Sequence, residues 1–376
     1  MALGDNCMIK NQLQVATVFS GIGAFEQSLK KLHIPFSIAF ACDNGERMIK
    51  GTKEEIIEHC KNNNFNDEEI LEYVKLLYQA THKENFMKKA YFANYDIKEE
   101  QWYEDIRFID GNKYKGKVDI LVGGSPCQSF SIIGKKAGLN DTRGTLFYDY
   151  ARLVSEMQPA VFIYENVPGM LAHDHGNTWK VIKDVFDSLG YDINFNILNA
   201  KDFGIPQDRK RLFVVGFKNK DIQFRFPLPL MLNTTMFDYL EEEVDAKFYL
   251  GQKGFEFVTN PKYKNRARVN HKVIQTEKAN QQFNWNGDFV FVPLEKIKDN
   301  KEIMARAYIS EYEGKKGAIR QLTHRECMRL MGFPDDFKIV VPNVWAYRHA
   351  GNSIVVNVLE NIMRSVLETG VFDENN

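Results

Sequence analysis

Residues 14–26 have the sequence QVATVFSGIGAFE, in which a β-branched run leads through Gly21 and Gly23 into a helical pattern. A strand that passes through glycines into a helix exposes free amide groups at the helix N-terminus, where a ligand can bind. The dinucleotide fingerprint has a third glycine where Glu26 stands here. The carboxylate of Glu26 would repel a pyrophosphate and could instead attract a cationic ligand group.

Similar apolar runs, separated by helix-like segments, recur as far as residue 217. They cover residues 36–41, 118–122, 160–164 and 211–217. This alternation predicts an α/β sheet with helices on both faces. Between about residues 52 and 92 the apolar residues recur at helical spacing instead, and Asn66 with Glu69 forms a capping-box pattern. We therefore expect two amphipathic helices inserted between strands.

The alternation stops at about residue 221, and helical patterns return only at residues 321–331 and 353–369. We expect a first domain over residues 1–220, a smaller domain over 221–316, and a C-terminal segment, 317–376, that returns to the first domain. Eight lysines and arginines stand between Ala246 and Ala279, against two glutamates. This segment is either a solvated basic face or a surface for a polyanion.

Charge, apolar runs and cysteine spacing argue against a membrane protein, a secreted protein and a metal-binding protein. The chain has 376 residues and a net charge of -1, which does not by itself indicate a nucleic-acid binder. No apolar run is long enough for a membrane span or a signal peptide, so a cytoplasmic protein is expected. The five cysteines show no CxxC spacing, and His173 and His175 lack a third ligand nearby, so no metal site is expected.

Three segments carry residues suited to chemistry. Cys127 follows an apolar strand within GGSPCQSFS, where a thiolate could attack a substrate, although free cysteines are usually buried small hydrophobes. Glu165 ends another strand and could protonate a ring nitrogen if burial raises its pKa, or could be an ordinary strand-end acid. Arg209 and Arg211 could donate to a carbonyl or phosphate oxygen, or form a solvated turn.

Seven segments in this order resemble the DNA cytosine-5 methyltransferases of the bacterial and phage restriction–modification type. They are FSGIGAFE, GGSPCQSFS, RGTLFYDYARLV, ENVPGML, QDRKRLFVVG, RQLTHRECMRLMGFP and AGNSIVVNVL. The resemblance implies a Rossmann-like S-adenosylmethionine-dependent methyltransferase fold with a smaller target-recognition domain at residues 221–316. It leaves the insertion without a role and does not indicate the recognition sequence.

The resemblance also implies the chemistry. Cys127 would add to C6 of a flipped cytosine, and Glu165 would hold N3 and protonate it as the adduct forms. Arg211 would contact O2, and Arg209 would support the pocket. The adduct would make C5 nucleophilic toward the methyl group of S-adenosylmethionine.

Further roles follow from the matched positions and from the place of the basic segment within the target-recognition domain. The residues expected around S-adenosylmethionine are Phe19, Gly21, Gly23, Asp43, Asp96, Ser125, Leu146, Asn352 and Ser353. The residues expected to contact double-stranded DNA are Gln128, Ser129, Lys135, Arg143, Lys264, Arg266 and Arg268. Asp96 is also expected to follow a third strand. A monomer is expected, and any cognate restriction endonuclease is expected to act separately.

Other functions remain open from the sequence. The main alternative is a tRNA cytosine-5 methyltransferase, although the Cys-Phe-Thr tripeptide typical of that branch is absent. A non-catalytic DNA-binding module is disfavoured by the presence of Cys127, Glu165 and Arg211. A nicotinamide-dependent oxidoreductase would leave Cys127 unexplained.

Overall fold

The computed structural model describes residues 12–125 and 146–373 of the chain. The strands in these ranges are β1 Leu13–Val18, β2 Phe36–Cys42, β3 Trp102–Tyr103, β4 Ile120–Gly123, β5 Val161–Asn166, β6 Asp192–Asn199, β7 Gln207–Asp208, β8 Lys210–Phe217, β9 Ala267–Val269, β10 Ile274–Gln275, β11 Gly287–Pro293, β12 Ser310–Tyr312 and β13 Lys315–Gln321. The α-helices are α1 Ala24–Lys31, α2 Lys53–Asn62, α3 Asp67–Gln79, α4 Phe86–Asn94, α5 Leu146–Met157, α6 Asn177–Ser188, α7 Gln252–Thr259, α8 Leu294–Ile297, α9 Lys301–Arg306, α10 His324–Leu330, α11 Asn343–Asn352 and α12 Val356–Leu367. None of these helices is long and apolar enough to cross a lipid bilayer.

These elements form two compact units. Within the described residues, the first unit comprises 12–125, 146–198, Lys210–Leu228 and 359–373, and the second comprises Asn199–Arg209 and Pro229–Val358.

The first unit is built on a seven-stranded sheet in the order β3-β2-β1-β4-β5-β8-β6. Strands β3, β2, β1, β4 and β5 run parallel, whereas β8 runs antiparallel to β5. The antiparallel pairing brings the beginning of β8 to the carboxyl end of β5. This mixed α/β sheet agrees with the expected methyltransferase fold, and each of the five predicted strands is present with ends shifted by at most two residues.

Every residue from Val161 to Tyr164 in β5 is buried, so both faces of this central strand are covered. Phe162 and Tyr164 of β5 pack with Tyr150 of α5 and Phe186 of α6. All four side chains are buried in one core cluster. A strand end in this position is held rigidly, so polar residues at the carboxyl ends of β4 and β5 have fixed positions.

The insertion contains three helices, α2, α3 and α4, rather than the two expected. The predicted capping box at the start of α3 is confirmed, since Asn66 accepts from the backbone of Glu69 and the Glu69 carboxylate accepts from Asn66. Apolar residues at the expected helical spacing, among them Cys60 and Val74, form a small separate core. The third helix was missed because its residues, FMKKAYFAN, show little amphipathic pattern.

The second unit has a four-stranded sheet in the order β12-β13-β11-β9 and a two-stranded sheet formed by β7 and β10. Its bounds differ from the expected 221–316 and 317–376. Strand β13 pairs with β11, and the buried ion pair between Arg320 and Glu326 joins β13 to α10. Pairing of β7 with β10 likewise draws the short segment Asn199–Arg209 into this unit.

Candidate active site

The glycine-rich turn after β1 forms a backbone cradle. Phe19, Gly21 and Gly23 all have left-handed backbone conformations, with φ of 53°, 56° and 80°. A side chain added at Gly21 would meet nothing within 4 Å, whereas one at Gly23 would clash with the ring of Tyr95. Gly21 therefore faces open space at the beginning of α1, where the helix offers free amide groups.

Asp43 lies directly after β2 and is bonded to this turn. Its carboxylate accepts from the Gly21 amide at 2.9 Å and from the Gly45 amide at 2.8 Å. Burial raises the pKa of Asp43, although these two hydrogen bonds act in the opposite direction. A carboxylate offers about four acceptor sites, so two remain for a ligand.

The prediction that Asp96 follows a third strand is wrong. Helix α4 precedes Asp96 instead. Its side chain is exposed. The neighbouring Tyr95 donates its hydroxyl to the Gly23 carbonyl at 2.5 Å, so the chain at Asp96 runs close to the glycine-rich turn.

The structure does not support the expectation that Glu26 attracts a cationic ligand group. Glu26 is only 1% exposed, and its Oε1 accepts from Thr17 at 2.9 Å and from Tyr91 at 2.6 Å. Burial raises its pKa. Glu26 is therefore part of the packing between β1 and α4.

The carboxyl ends of β4 and β5 are joined by hydrogen bonds around Ser125. The Asn166 amide donates to the Ser125 carbonyl at 2.9 Å, and the Ser125 hydroxyl lies 2.6 Å from that of Tyr164. A side chain at Gly124 would clash with the backbone of Glu165. Glycine at this position thus allows the chain directly after β4 to lie against Glu165.

Glu165 and Arg211 form an ion pair in which Arg211 Nε lies 3.0 Å from Glu165 Oε1. In the antiparallel register, Glu165 is opposite Phe213, and Arg211 stands two residues before Phe213 on the same face of the sheet. Both side chains are less than one-fifth exposed. An acid and a guanidinium held together in this way can bind a heterocycle that offers both a ring nitrogen and a carbonyl oxygen.

Several predicted residues lie outside the described ranges: Cys127, Gln128, Ser129, Lys135 and Arg143. Leu146 is the first residue of α5 and packs, half-buried, against the main core.

In the second unit, Arg209 is an internal anchor. It is 3% exposed and donates to the carbonyl oxygens of Glu277 at 2.6 Å, Gly351 at 3.0 Å and Ser353 at 2.7 Å. These bonds fix the end of α11, where Asn352 is exposed and Ser353 is buried. Arg209 therefore holds the Gly351–Ser353 turn, which is a positioning role.

The predicted DNA-contacting residues of the second unit differ in exposure. Lys264 and Arg266 are exposed, and Arg266 lies over the ring of Phe257 at 5.4 Å. Arg268 is instead paired with the buried Asp288 at 2.8 Å. This partner explains the presence of Arg268 structurally, and its contact with DNA stays a prediction.

Sequence reasoning missed residues whose roles depend on distant partners. Tyr95 packs beneath the glycine-rich turn, and Asn166 fixes Ser125, but neither contact has a local sequence signal. Glu277 is buried in the second unit and has a pKa raised to about 8 by burial. It lies in the segment where no regular pattern was visible, so nothing in the sequence marked it. No cluster in the described residues could hold a metal ion.

Comparison with known proteins identifies the family. The family model for C-5 cytosine-specific DNA methylase matches residues 71–368. The type II methyltransferase M.SsoII of Shigella sonnei is 38% identical over 76% of this chain and 72% of its own length. M.HhaI of Haemophilus parahaemolyticus is 36% identical over 66% of this chain and 75% of its own.

Solved structures share the fold. The methyltransferase EhMeth of Entamoeba histolytica has a TM-score of 0.66 at 17% identity, covering 96% of this chain and 99% of its own. A putative DNA modification methyltransferase encoded within an Escherichia coli prophage has a TM-score of 0.55 at 20% identity, covering 95% and 99%. Together with the sequence matches, the glycine cradle and the Glu165–Arg211 pair, this shows that the chain belongs to the C-5 cytosine-specific DNA methylases, the enzymes that methylate carbon 5 of cytosine in DNA.

Proposed function

We propose that Cys127 is the nucleophile of this DNA cytosine-5 methyltransferase and attacks a cytosine that has left the duplex. The observation that supports this most strongly is the ion pair between Glu165 and Arg211 beside Ser125. Ser125 precedes Cys127 by two residues, and two residues of extended chain span at most about 7 Å. We therefore propose that the Cys127 thiol attacks a ring that Glu165 and Arg211 hold.

The other cysteines in the described ranges are poor nucleophiles. Cys42, Cys60 and Cys327 are free and buried, and burial raises the pKa of each thiol. A thiol must ionise before it can attack, so these three side chains stay unreactive. This supports the assignment of the nucleophile to Cys127.

The residues act on the base in a defined order. The Cys127 thiolate forms a bond to C6 while Glu165 donates a proton to N3 and Arg211 holds O2, so that C5 becomes nucleophilic. S-adenosylmethionine, when bound, supplies an electrophilic methyl group on its sulfonium. C5 would bond to this methyl group as the bond between the methyl carbon and the sulfonium sulfur breaks, which leaves S-adenosylhomocysteine. Loss of the proton from C5 and cleavage of the bond between Cys127 Sγ and C6 then restore the aromatic ring and the thiolate. The base must be flipped out first, because C6 is inaccessible within the stack.

We infer that S-adenosylmethionine binds along the glycine cradle. The open space beside Gly21 admits a ligand, and Asp43 retains acceptor sites suited to two ribose hydroxyls. Phe19, Gly23, Asp96, Ser125 and Leu146 are the other residues of the first unit proposed to contact it. The cofactor contacts that the family resemblance implies for Asn352 and Ser353 stay a prediction.

We further propose that residues 221–316 recognise the DNA sequence, with Lys264 and Arg266 binding phosphates. Gln128, Ser129, Lys135 and Arg143 are proposed to contact the DNA near the flipped base. The enzyme is proposed to act as a cytoplasmic monomer, separately from any cognate endonuclease.

Methyl transfer to duplex DNA and to tRNA by the same preparation tests this proposal. The parent enzyme should methylate DNA alone, and bisulfite sequencing should identify the modified cytosine. Cys127→Ala should abolish transfer while cofactor binding, measured by calorimetry, stays near the parent value. Substantial turnover by Cys127→Ala, or methylation of tRNA in place of DNA, would refute the proposal.

A further inference from the structure

The loop that carries Asp43 is held by a residue of the helical insertion, Asn85. Asn85 is 8% exposed and caps α4, since its Oδ1 accepts from the Lys88 amide at 3.0 Å. Its Nδ2 donates to the backbone carbonyl of Asp43 at 2.8 Å and to the carboxylate of Glu104 at 3.0 Å. One side chain thus begins a helix of the insertion and fixes the backbone of Asp43.

Hydrogen bonds therefore hold both the side chain and the backbone of Asp43. Amide groups of the glycine-rich turn and of Gly45 hold its carboxylate, and Asn85 holds its carbonyl. Gly45 has a left-handed backbone with φ of 62°, and any side chain there would clash with Asn85. Asn85 therefore packs closely on this loop, and each carboxylate oxygen of Asp43 accepts one backbone amide.

Arg47, at the end of the same loop, makes a second connection to the insertion. It is 6% exposed, donates to the Asn44 carbonyl at 2.8 Å and pairs with Glu104. Its guanidinium lies over the ring of Tyr78 in α3, 5.0 Å from the ring centre. Because Glu104 also accepts from Asn85, the two connections form one buried network.

We propose that the helical insertion positions the cofactor-binding loop, with Asn85 and Arg47 as positioning residues for Asp43. The inference rests on the proposed function, in which Asp43 binds the ribose of S-adenosylmethionine. A carboxylate that is already oriented binds hydroxyls without a further loss of conformational freedom, which strengthens binding. The insertion would then contribute to cofactor affinity without touching the cofactor.

Asn85→Asp separates the capping of α4 from the hydrogen bond to Asp43. Aspartate caps a helix as well as asparagine does, so α4 still begins at this residue. The substitution replaces the donor group with an oxygen that faces the Asp43 carbonyl and the Glu104 carboxylate, so the connection is lost. Asn66→Asp is a matched control, because Asn66 caps α3 of the same insertion and its Oδ1 accepts from amides of that helix.

Calorimetric titration with S-adenosylmethionine should give a Kd about tenfold higher for Asn85→Asp, the effect of losing about one hydrogen bond. Asn66→Asp should bind as the parent does. In steady-state assays the KM for the cofactor should rise more than kcat falls, whereas a merely structural defect would lower the active fraction and leave KM unchanged.

Two outcomes separate this inference from the proposed function. If Asp43→Ala loses cofactor affinity but Asn85→Asp binds like the parent, the positioning role is overturned and the cofactor site stands. If Asp43→Ala also binds like the parent, the proposed cofactor site fails and the inference fails with it. If Asn85→Asp does not fold, Arg47→Lys is tested in its place. An unchanged Kd for S-adenosylmethionine in Arg47→Lys would overturn the positioning role of the insertion.

Discussion

Replacing Glu277 by glutamine should make the protein more stable, and increasingly so as the pH rises. Glu277 is 1% exposed, and neither of its carboxyl oxygens has a nitrogen or oxygen partner. Burial raises its pKa from an ordinary 4.5 to about 8, although the Arg209 guanidinium and the Cys327 thiol lower it. In the folded protein the carboxyl is therefore protonated at neutral pH.

The size of the effect follows from the two pKa values. The unfolded chain releases this proton near pH 4.5 and the folded protein near pH 8. Between these values the folded state binds more protons, so the free energy of unfolding falls by about 1.4 kcal/mol per pH unit. The total approaches about 5 kcal/mol at pH 8, an upper limit for a group that can relax or hydrate. Below pH 4.5 both states are protonated and the effect disappears.

Urea denaturation of the parent and of Glu277→Gln at several values between pH 5 and 8 measures this directly. The stability advantage of the variant should be small at pH 5 and several kcal/mol at pH 8. Glu256→Gln, a change at an exposed carboxyl of the same unit, is the control and should show a nearly constant difference. An advantage that does not grow with pH would show that Glu277 is ionised beside Arg209, contrary to this reasoning.

Three further predictions concern other parts of the molecule. Gly23→Ala should destabilise the fold by about 2–4 kcal/mol, because it combines an unfavourable backbone angle with a clash against Tyr95. Gly21→Ala should destabilise it by only about 1 kcal/mol, since a side chain there meets no other atom. Equal melting temperatures of the two variants would contradict this. Arg209→Lys should lower stability by about 3 kcal/mol, since an ammonium cannot reach all three carbonyls that the guanidinium holds, and denaturant titration would detect it. Lys264→Ala should reduce the slope of log affinity for DNA against log salt by about 1, whereas an unchanged slope would exclude a phosphate contact.

Local sequence pattern was sufficient for much of the fold. Apolar runs located each predicted strand of the large sheet, because strands buried on both faces must be continuously apolar. The capping box at Asn66 and Glu69 was visible because its residues are three positions apart. Strand direction was not visible, since the antiparallel course of β8 depends on pairing with β5, which is distant along the chain.

The partners of charged residues could not be predicted from the sequence. The sequence predicts that Arg209 supports the base pocket and that Arg268 contacts DNA, yet each has partners within the protein. The partner of Arg268 is Asp288, 20 residues away, and Arg209 bonds to carbonyls more than 60 residues away. Composition reports the charge of a segment but not the acid or carbonyl that neutralises it. The same limit hid the network around Asn85, whose members come from three separate segments.

Trapping the covalent complex tests whether a thiol bonds to the base during methyl transfer. The enzyme is incubated with S-adenosylmethionine and duplex DNA carrying 5-fluorocytosine at its target site, where the fluorine cannot leave as a proton does. Mass spectrometry of the digested complex should find the nucleotide attached to the peptide that contains Cys127. A preparation that methylates ordinary DNA but gives no adduct, or one attached to a different cysteine, would contradict the account.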